Sequence, residues 1–297
     1  MNDSNAVHAL RANPATWISI LAMGGLLTAL SLVPDPLALA RDYGQFLALG
    51  LAGAIAANST GAGGGIVFIP AFTSLGIGGE NALATSLAIQ CFGMTAGSIA
   101  WLVALKRHEY GGRHAVSLVR RLLLITAPPA AAGMLLAQYL VPAPPLAVAT
   151  IFKYFSILFG LLLLYGTLRK PQPHPHAIHR LHRRHVVPIV VCALAGGMVT
   201  AWISIGVGEW LALLLFFLGY PTMISVCIAV CISALTVWVG IGYHAGTDGH
   251  IVWPIVLFAA PAAMVGGSVA RYLARRLGPV RLKIFFSTWI LATGLVM

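Results

Sequence analysis

Apolar stretches separated by short polar or glycine-rich interruptions fill almost the whole chain. Residues 16–33, 81–105, 118–140, 146–168, 222–243 and 251–273 are runs near the length of about 20 residues that a helix needs to cross a bilayer. Their apolar positions are continuous, without the two-residue alternation of a barrel strand, so helices are the predicted form. Two further stretches behave differently. Residues 43–57 are apolar, break at Asn58-Ser59-Thr60-Gly61-Ala62-Gly63-Gly64-Gly65, and resume over 66–75. Residues 186–203 are apolar, break at Ser204-Ile205-Gly206-Val207-Gly208-Glu209, and resume over 210–218. The runs after the breaks are too short to cross alone. Each interrupted stretch is expected to form a V, in which a helix enters the membrane, turns near its middle and returns to the side it came from. A last apolar run covers 281–297.

The breaks sit at corresponding positions. Gly63 and Gly206, Gly65 and Gly208, Gly76 and Gly219, and Gly97 and Gly240 are all separated by one constant offset. Later, Pro128-Pro129-Ala130-Ala131-Ala132-Gly133 resembles Pro261-Ala262-Ala263-Met264-Val265-Gly266, and Phe152-Lys153-Tyr154-Phe155 resembles Leu282-Lys283-Ile284-Phe285. Matched glycines at matched spacing predict an internal repeat. The expected organisation is an N-terminal tail, first transmembrane helix and periplasmic linker over 1–43, a first repeat over 44–168, a linker over 169–185 and a second repeat over 186–297.

Composition agrees with a membrane protein: the chain is 59% hydrophobic and 8% charged, with a mean hydropathy of +0.90. Fifteen of the eighteen Lys and Arg fall in three clusters. These are Lys106, Arg107, Arg113, Arg120 and Arg121, then Arg169, Lys170, Arg180, Arg183 and Arg184, then Arg271, Arg275, Arg276, Arg281 and Lys283. Basic loops stay in the cytoplasm, so the three clusters are expected on one side. The basic loop 106–114 corresponds to 245–250, which has no Lys or Arg, only if equivalent loops face opposite sides, and the neutral 141–145 corresponds to the basic 271–281 in the same way. The predicted fold is an all-α polytopic bundle of two inverted repeats with V-shaped, half-crossing helices, preceded by one extra N-terminal span. Its N-terminus is expected in the cytoplasm and its C-terminus outside. The first span lacks the basic n-region and cleavage site of a signal peptide, so it is expected to be retained. The net charge of +11 reads as topology and contact with anionic lipid, not as nucleic-acid binding.

A helix break inside a bilayer must face protein or a water-filled cavity, because unpaired backbone groups are costly in hydrocarbon. Gly61, Gly63, Gly64 and Gly65 allow a tight turn and close approach, and the segment that follows offers free N–H groups at a positive dipole end. Gly206 and Gly208 do the same in the second half. Inverted symmetry brings both helix starts toward one anion. Asn58, Ser59, Thr60, Thr85, Ser86, Gln90, Ser204 and Ser233 are the candidate polar partners. The plainer reading of the glycines is close helix packing. Glu209 is the one acid deep inside an apolar run. Two readings stay open for it: a helix-start residue held by its own dipole, or a proton-coupling group that admits the anion when protonated and expels it when ionised.

The remaining chemistry is weaker. Glu80 reads as a solvated helix start, and Lys153 and Lys283 as side chains that snorkel to opposite interfaces. His174, His176, His179, His182 and His185 are loosely spaced in a basic linker and do not match a structural metal pattern. Cys91, Cys192, Cys227 and Cys231 all lie in apolar runs and read as small buried hydrophobes. Trp202, Trp210 and Trp238 read as packing aromatics. No metal or cofactor is expected.

The segment 61–86, GAGGGIVFIPAFTSLGIGGENALATS, resembles the sulfite exporter TauE/SafE family, with its glycine-rich break, a proline (Pro70) in the apolar stretch, a Leu-Gly turn and Ala-Thr-Ser opening the next span. Gly206-Val207-Gly208 gives the second half a similar break. The chain departs from that pattern at Ile228-Ala229, where Thr-Ser would recur, and at Glu209, where glycine is common. The resemblance covers most of 44–297 and implies an inner-membrane transporter that moves sulfite, sulfonates or related organic anions outward. The expected partners are a small anion and membrane lipid, and a homodimer is compatible with the pattern. Two other readings rank below it. A divalent-metal permease would use the histidine linker, and a membrane-embedded hydrolase would pair Ser204 or Ser233 with His244.

Overall fold

The computed structural model describes residues 14–107, 109, 112–142, 146–169 and 180–296. Among the described residues the protein is helical, without a strand. The helices are α1 (Pro14–Ser31), α2 (Pro36–Tyr43), α3 (Gln45–Thr60), α4 (Gly65–Ser74), α5 (Gly79–Lys106), α6 (Gly112–Leu140), α7 (Val148–Arg169), α8 (Arg183–Ile203), α9 (Val207–Phe217), α10 (Thr222–Tyr243) and α11 (Trp253–Val296). Six of them, α5, α6, α7, α8, α10 and α11 up to Gly278, are long and apolar enough to cross a membrane. The chain is a multi-pass membrane protein. α4 and α9 have 10 and 11 residues, about 15–17 Å at ~1.5 Å per residue, or half a hydrocarbon layer.

Both breaks are sharp turns at matched positions. α3 ends at Gly61, with φ +85°, and α8 ends at Ser204, with φ +61°. These two residues share the offset that relates the paired glycines. Ser204 is the one non-glycine residue with positive φ among those described, a conformation that costs an L residue roughly 1–2 kcal/mol.

Helix pairs approach closely where glycine faces backbone. A Cβ on Gly133 of α6 would strike the Leu194 carbonyl of α8, and one on Gly266 of α11 would strike the Leu51 carbonyl of α3. Leu51 and Leu194 are themselves equivalent, so the α6–α8 and α3–α11 pairs repeat one packing arrangement. In lipid, where association relies on such contact rather than on hydrophobic burial, small residues hold the bundle together.

The ends of the bundle differ in charge. At one end Glu109 accepts hydrogen bonds from Arg271 and Arg275, each at 2.6 Å. Leu105, Leu118, Leu181, Tyr220, Ala274 and Leu277 share an apolar cluster there. This basic end collects residues from all three cationic stretches of the sequence. At the other end Glu80, Pro142, Tyr243 and His250 line one cavity. α6, with 29 residues, is about 44 Å long and carries the chain from the basic end at Gly112 to the neutral end at Leu140. α5 runs from the neutral to the basic end, and its counterpart α10 runs the opposite way. The repeats are inverted.

Three expectations need correction. Residues 271–277 are not in a loop, because α11 stays helical past Arg271, Arg275 and Arg276 until Gly278 breaks it at φ +72°. α6 starts at Gly112, so Arg113 lies on a helix and not in the loop 106–114. Asn58, Ser59 and Thr60 form the last turn of α3 and precede the break itself. The linker histidines His174, His176 and His179, with 143–145, lie outside the described residues.

The opposed ends give a direct test. Val141 and Arg276 are exposed, while the native cysteines are buried or partly buried. A cysteine at 141 is expected to react with an impermeant maleimide from one side of sealed vesicles and a cysteine at 276 only from the other. Reaction of both from one side contradicts the inverted arrangement.

Candidate functional site

The two breaks meet face to face. A Cβ on Gly65 would collide with the Ser204 carbonyl, and a Cβ on Gly208 would collide with the Gly61 carbonyl. Gly65 corresponds to Gly208 and Gly61 to Ser204, so each break presses a glycine against the turn of the other. Reciprocal contact of this kind is the mark of a two-fold relation.

Glu209 lies at the centre of this junction and is 1% exposed. Its Oε1 accepts from the Gly63 N–H at 2.6 Å and its Oε2 from the Gly206 N–H at 2.8 Å. Gly63 and Gly206 are equivalent positions, so one carboxylate bridges the same amide of both halves and sits near the pseudo-two-fold axis. Part of this is ordinary capping: Glu209 is the third residue of α9 and reaches back to the residue before the helix, as a capping-box acid does. The bond to Gly63, across the junction, is not local. Short charge-assisted bonds and the positive end of α9 oppose the cost of burying the acid. Ile66 occupies the equivalent place in the first half, so the acid is present once.

The next amides are satisfied differently in the two halves. The Gly64 N–H donates to Gln90 Oε1 at 2.7 Å. Its equivalent, the Val207 N–H, donates to Thr200 Oγ1 at 2.9 Å. Ser233 occupies the place of Gln90 but is too short to reach, and its buried Oγ has no hydrogen-bond partner among the described residues. Gln90 Nε2 donates to Ser204 Oγ at 2.7 Å and to the Ser204 carbonyl at 3.2 Å, and Ser86 Oγ lies 2.8 Å from Ser204 Oγ. The break amides, Glu209, Gln90, Ser86 and Ser204 therefore form one buried network.

Other expected site residues stand outside it. Ser59 and Thr60 donate to the Ala56 carbonyl within their own helix, while Thr60 Oγ1 also accepts from the Ala62 N–H. Asn58 donates to the Ala54 and Gly93 carbonyls, locking α3 to α5. Thr85 accepts from the Val252 N–H at 3.0 Å and holds the start of α11. Thr200, a lone Thr in an apolar run, carries no signal in the sequence for its bond to the Val207 N–H.

Space around the network is unequal. Between Asn58, Gly64, Gln90 and Gly93 there is a void of about 10 Å³, roughly the volume swept by one water-sized probe. The neutral-end cavity is far larger, about 450 Å³, and reaches Leu83, Ala201 and Trp202 beside the break. A third, largely apolar groove between α1 and α11 is lined by Leu21, Leu26, Trp253 and Met264 and has no charged side chain to hold an anion. Among the described residues no three His, Cys, Asp or Glu gather. His185 bonds through Nδ1 to the Tyr220 hydroxyl at 3.0 Å. Glu80, at the solvent edge, meets His250 at 3.3 Å. Trp210 stacks on Phe155, and Trp238 donates to Thr95 Oγ1, whereas Trp202 lines the cavity.

Removing the central acid uncovers two buried amides. Glu209→Ala is expected to lower the melting temperature, since each unpaired buried N–H costs about 1–3 kcal/mol. Formate or sulfite is expected to restore it in the variant and to raise that of the wild type by less, since Glu209 already occupies the amides there. A variant that melts like wild type, or that no oxyanion rescues, contradicts the bridging role. Gly65→Ala and Gly208→Ala each drive a methyl into the opposing carbonyl, and both are expected to cost about 1–3 kcal/mol in thermal unfolding.

No curated protein and no solved structure matches the chain. The model of the sulfite exporter TauE/SafE family matches residues 46–297, which takes in both breaks, Glu209 and the cavity. With two opposed half-helices meeting over one acid, and that match running almost the full length, the chain belongs to the sulfite exporter TauE/SafE family, membrane transporters of sulfite or related anions.

Proposed function

We propose that the chain is a secondary transporter that exports a small oxyanion, such as sulfite, an organosulfonate or a related organic acid, across the inner membrane by alternating access. One observation carries the reading: a single carboxylate bridges equivalent amides of two opposed breaks. Glu209 presents a negative charge spread over two oxygens on one atom. Sulfite, sulfonates and carboxylates present the same edge, so any of them can take its place on the Gly63 and Gly206 amides. Gln90 Nε2 and the hydroxyls of Ser86 and Ser204 are donors at hand for a further oxygen. Glu209 is thus an internal stand-in for substrate that keeps the amides paired while the site is empty.

Substrate and Glu209 compete for one positive site, and two anions there repel. Protonation of Glu209 removes the competitor and frees the amides, so anion binding is coupled to proton uptake on the loading side. Residues 44–168 and 186–297 act as the two bodies that rock about the junction. The basic end faces the cytoplasm by the charge rule and lies against anionic headgroups. That puts the N-terminus inside and the C-terminus outside.

Flux of labelled sulfite in sealed proteoliposomes tests the reading. Wild-type flux is expected to saturate and to rise when the loading side is made acidic. Glu209→Gln, permanently uncharged, is expected to lose that pH dependence. An unchanged pH profile in the variant rules out coupling through Glu209, and an absence of wild-type flux for every oxyanion tried refutes the transporter assignment.

A further inference from the structure

The neutral-end cavity maps by the internal symmetry onto a filled place at the basic end, and the two are chemically unlike. Gln138 lines the cavity and is 4% exposed. Its Nε2 donates to the Gly240 carbonyl at 2.9 Å, and its Oε1 has no hydrogen-bond partner among the described residues. The alignment that matches Gly133 with Gly266 carries Gln138 onto Arg271, and the shared packing of α6 on α8 and α11 on α3 supports that register. Arg271 is also 4% exposed, but it is a full charge. Glu109 Oε2 accepts from Arg271 and from the more exposed Arg275 at 2.6 Å. At the offset of the paired glycines, cavity residues Ala201 and His244 map onto Asn58 and Trp101. Trp101 is fully buried and donates to the Asn58 carbonyl at 2.9 Å, filling at the basic end the place that borders open volume at the neutral end.

We propose that Arg271 is the residue that takes up the oxyanion at the basic end, and that Glu109 is an internal anion that covers it in the present conformation. The proposal rests on the transporter reading above. Inverted repeats reach their second state by rocking against each other around the fixed site. That exchange opens around Arg271 the kind of cavity that now surrounds Gln138. A guanidinium offers a fork of donors that matches the two-oxygen edge of sulfite, a sulfonate or a carboxylate. An amide at the mirrored position holds the same anion far more weakly. The anion is held more tightly where the wall is charged than where it is neutral, while the proton coupling proposed above sets the net direction. Glu109 repeats at the mouth what Glu209 does at the centre: an acid of the chain occupies an anion site until substrate displaces it.

The test is the concentration dependence of sulfite flux in oriented proteoliposomes, loaded from each face in turn. Arg271→Gln is expected to raise KM from the basic face at least tenfold, with the neutral-face KM changed less than twofold and, since the carrier is reversible, kcat/KM lowered by the same factor from either face. Arg271→Lys is expected to fall between the two. Glu109→Gln is expected to lower the basic-face KM, because the competing charge is gone. Gln138→Arg is expected to lower the neutral-face KM severalfold. An unchanged basic-face KM in Arg271→Gln, or an equal change of KM at both faces, overturns the proposal while leaving the transporter reading intact. Should Arg271→Gln not fold, unaltered KM values in both Glu109→Gln and Gln138→Arg overturn it as well. Lack of wild-type flux for any oxyanion overturns the transporter reading, and this proposal with it.

Discussion

One carboxylate shared by two backbone amides holds the centre of this protein together. The constraint behind it is the solvent. Lipid offers no hydrogen bonds, so every N–H released by a broken helix must find a partner within the protein. Two breaks brought together double that demand. Glu209 meets it for Gly63 and Gly206 at once, while Gln90 and Thr200 serve Gly64 and Val207. The cost is a buried acid, which the positive end of α9 and two short hydrogen bonds offset. In the proposed carrier, a group of similar shape and charge replaces the acid without leaving an amide unpaired.

Symmetry supplies the frame, and departures from it supply the function. The frame is visible in paired contacts: Gly65 on Ser204 against Gly208 on Gly61, and Gly133 on Leu194 against Gly266 on Leu51. Few side chains with chemistry obey it. Glu209 has Ile66 as its counterpart, Gln90 has Ser233, and Arg271 has Gln138. A symmetric backbone fits the proposed access to the site from either end in turn, and an asymmetric set of side chains makes the two ends chemically unequal.

Much of the frame is legible in the sequence because glycine spacing and the positions of Lys and Arg are both local signals. The paired breaks, the half-helices and the opposed halves follow from these. Partner choice is less legible. Ser59 and Thr60 resemble ligands in sequence, yet a hydroxyl in the last turn of a helix bonds most readily to a carbonyl one turn back, and both do so. Ser86, Gln90 and Ser204 lie on different elements, and only the folded junction brings them together. Glu209 is conspicuous as a lone acid in an apolar run, but its bond to Gly63 spans the two halves and has no local signature. The cationic stretch at 271–276 reads as a loop because it is charged, whereas α11 stays helical through it and is broken only at Gly278. Extending the Gly133–Gly266 match by five residues would have paired Gln138 with Arg271.

The shared carboxylate can be observed directly through the amide protons of Gly63 and Gly206, measured by magnetic resonance on protein labelled at glycine and held in a bilayer. Both protons are expected far downfield, as short bonds to a charged acceptor require, and both should move with one common midpoint as pH falls and shift together when sulfite is added. Two amides that respond independently, or that keep ordinary shifts throughout, would contradict a single anion held between the two breaks.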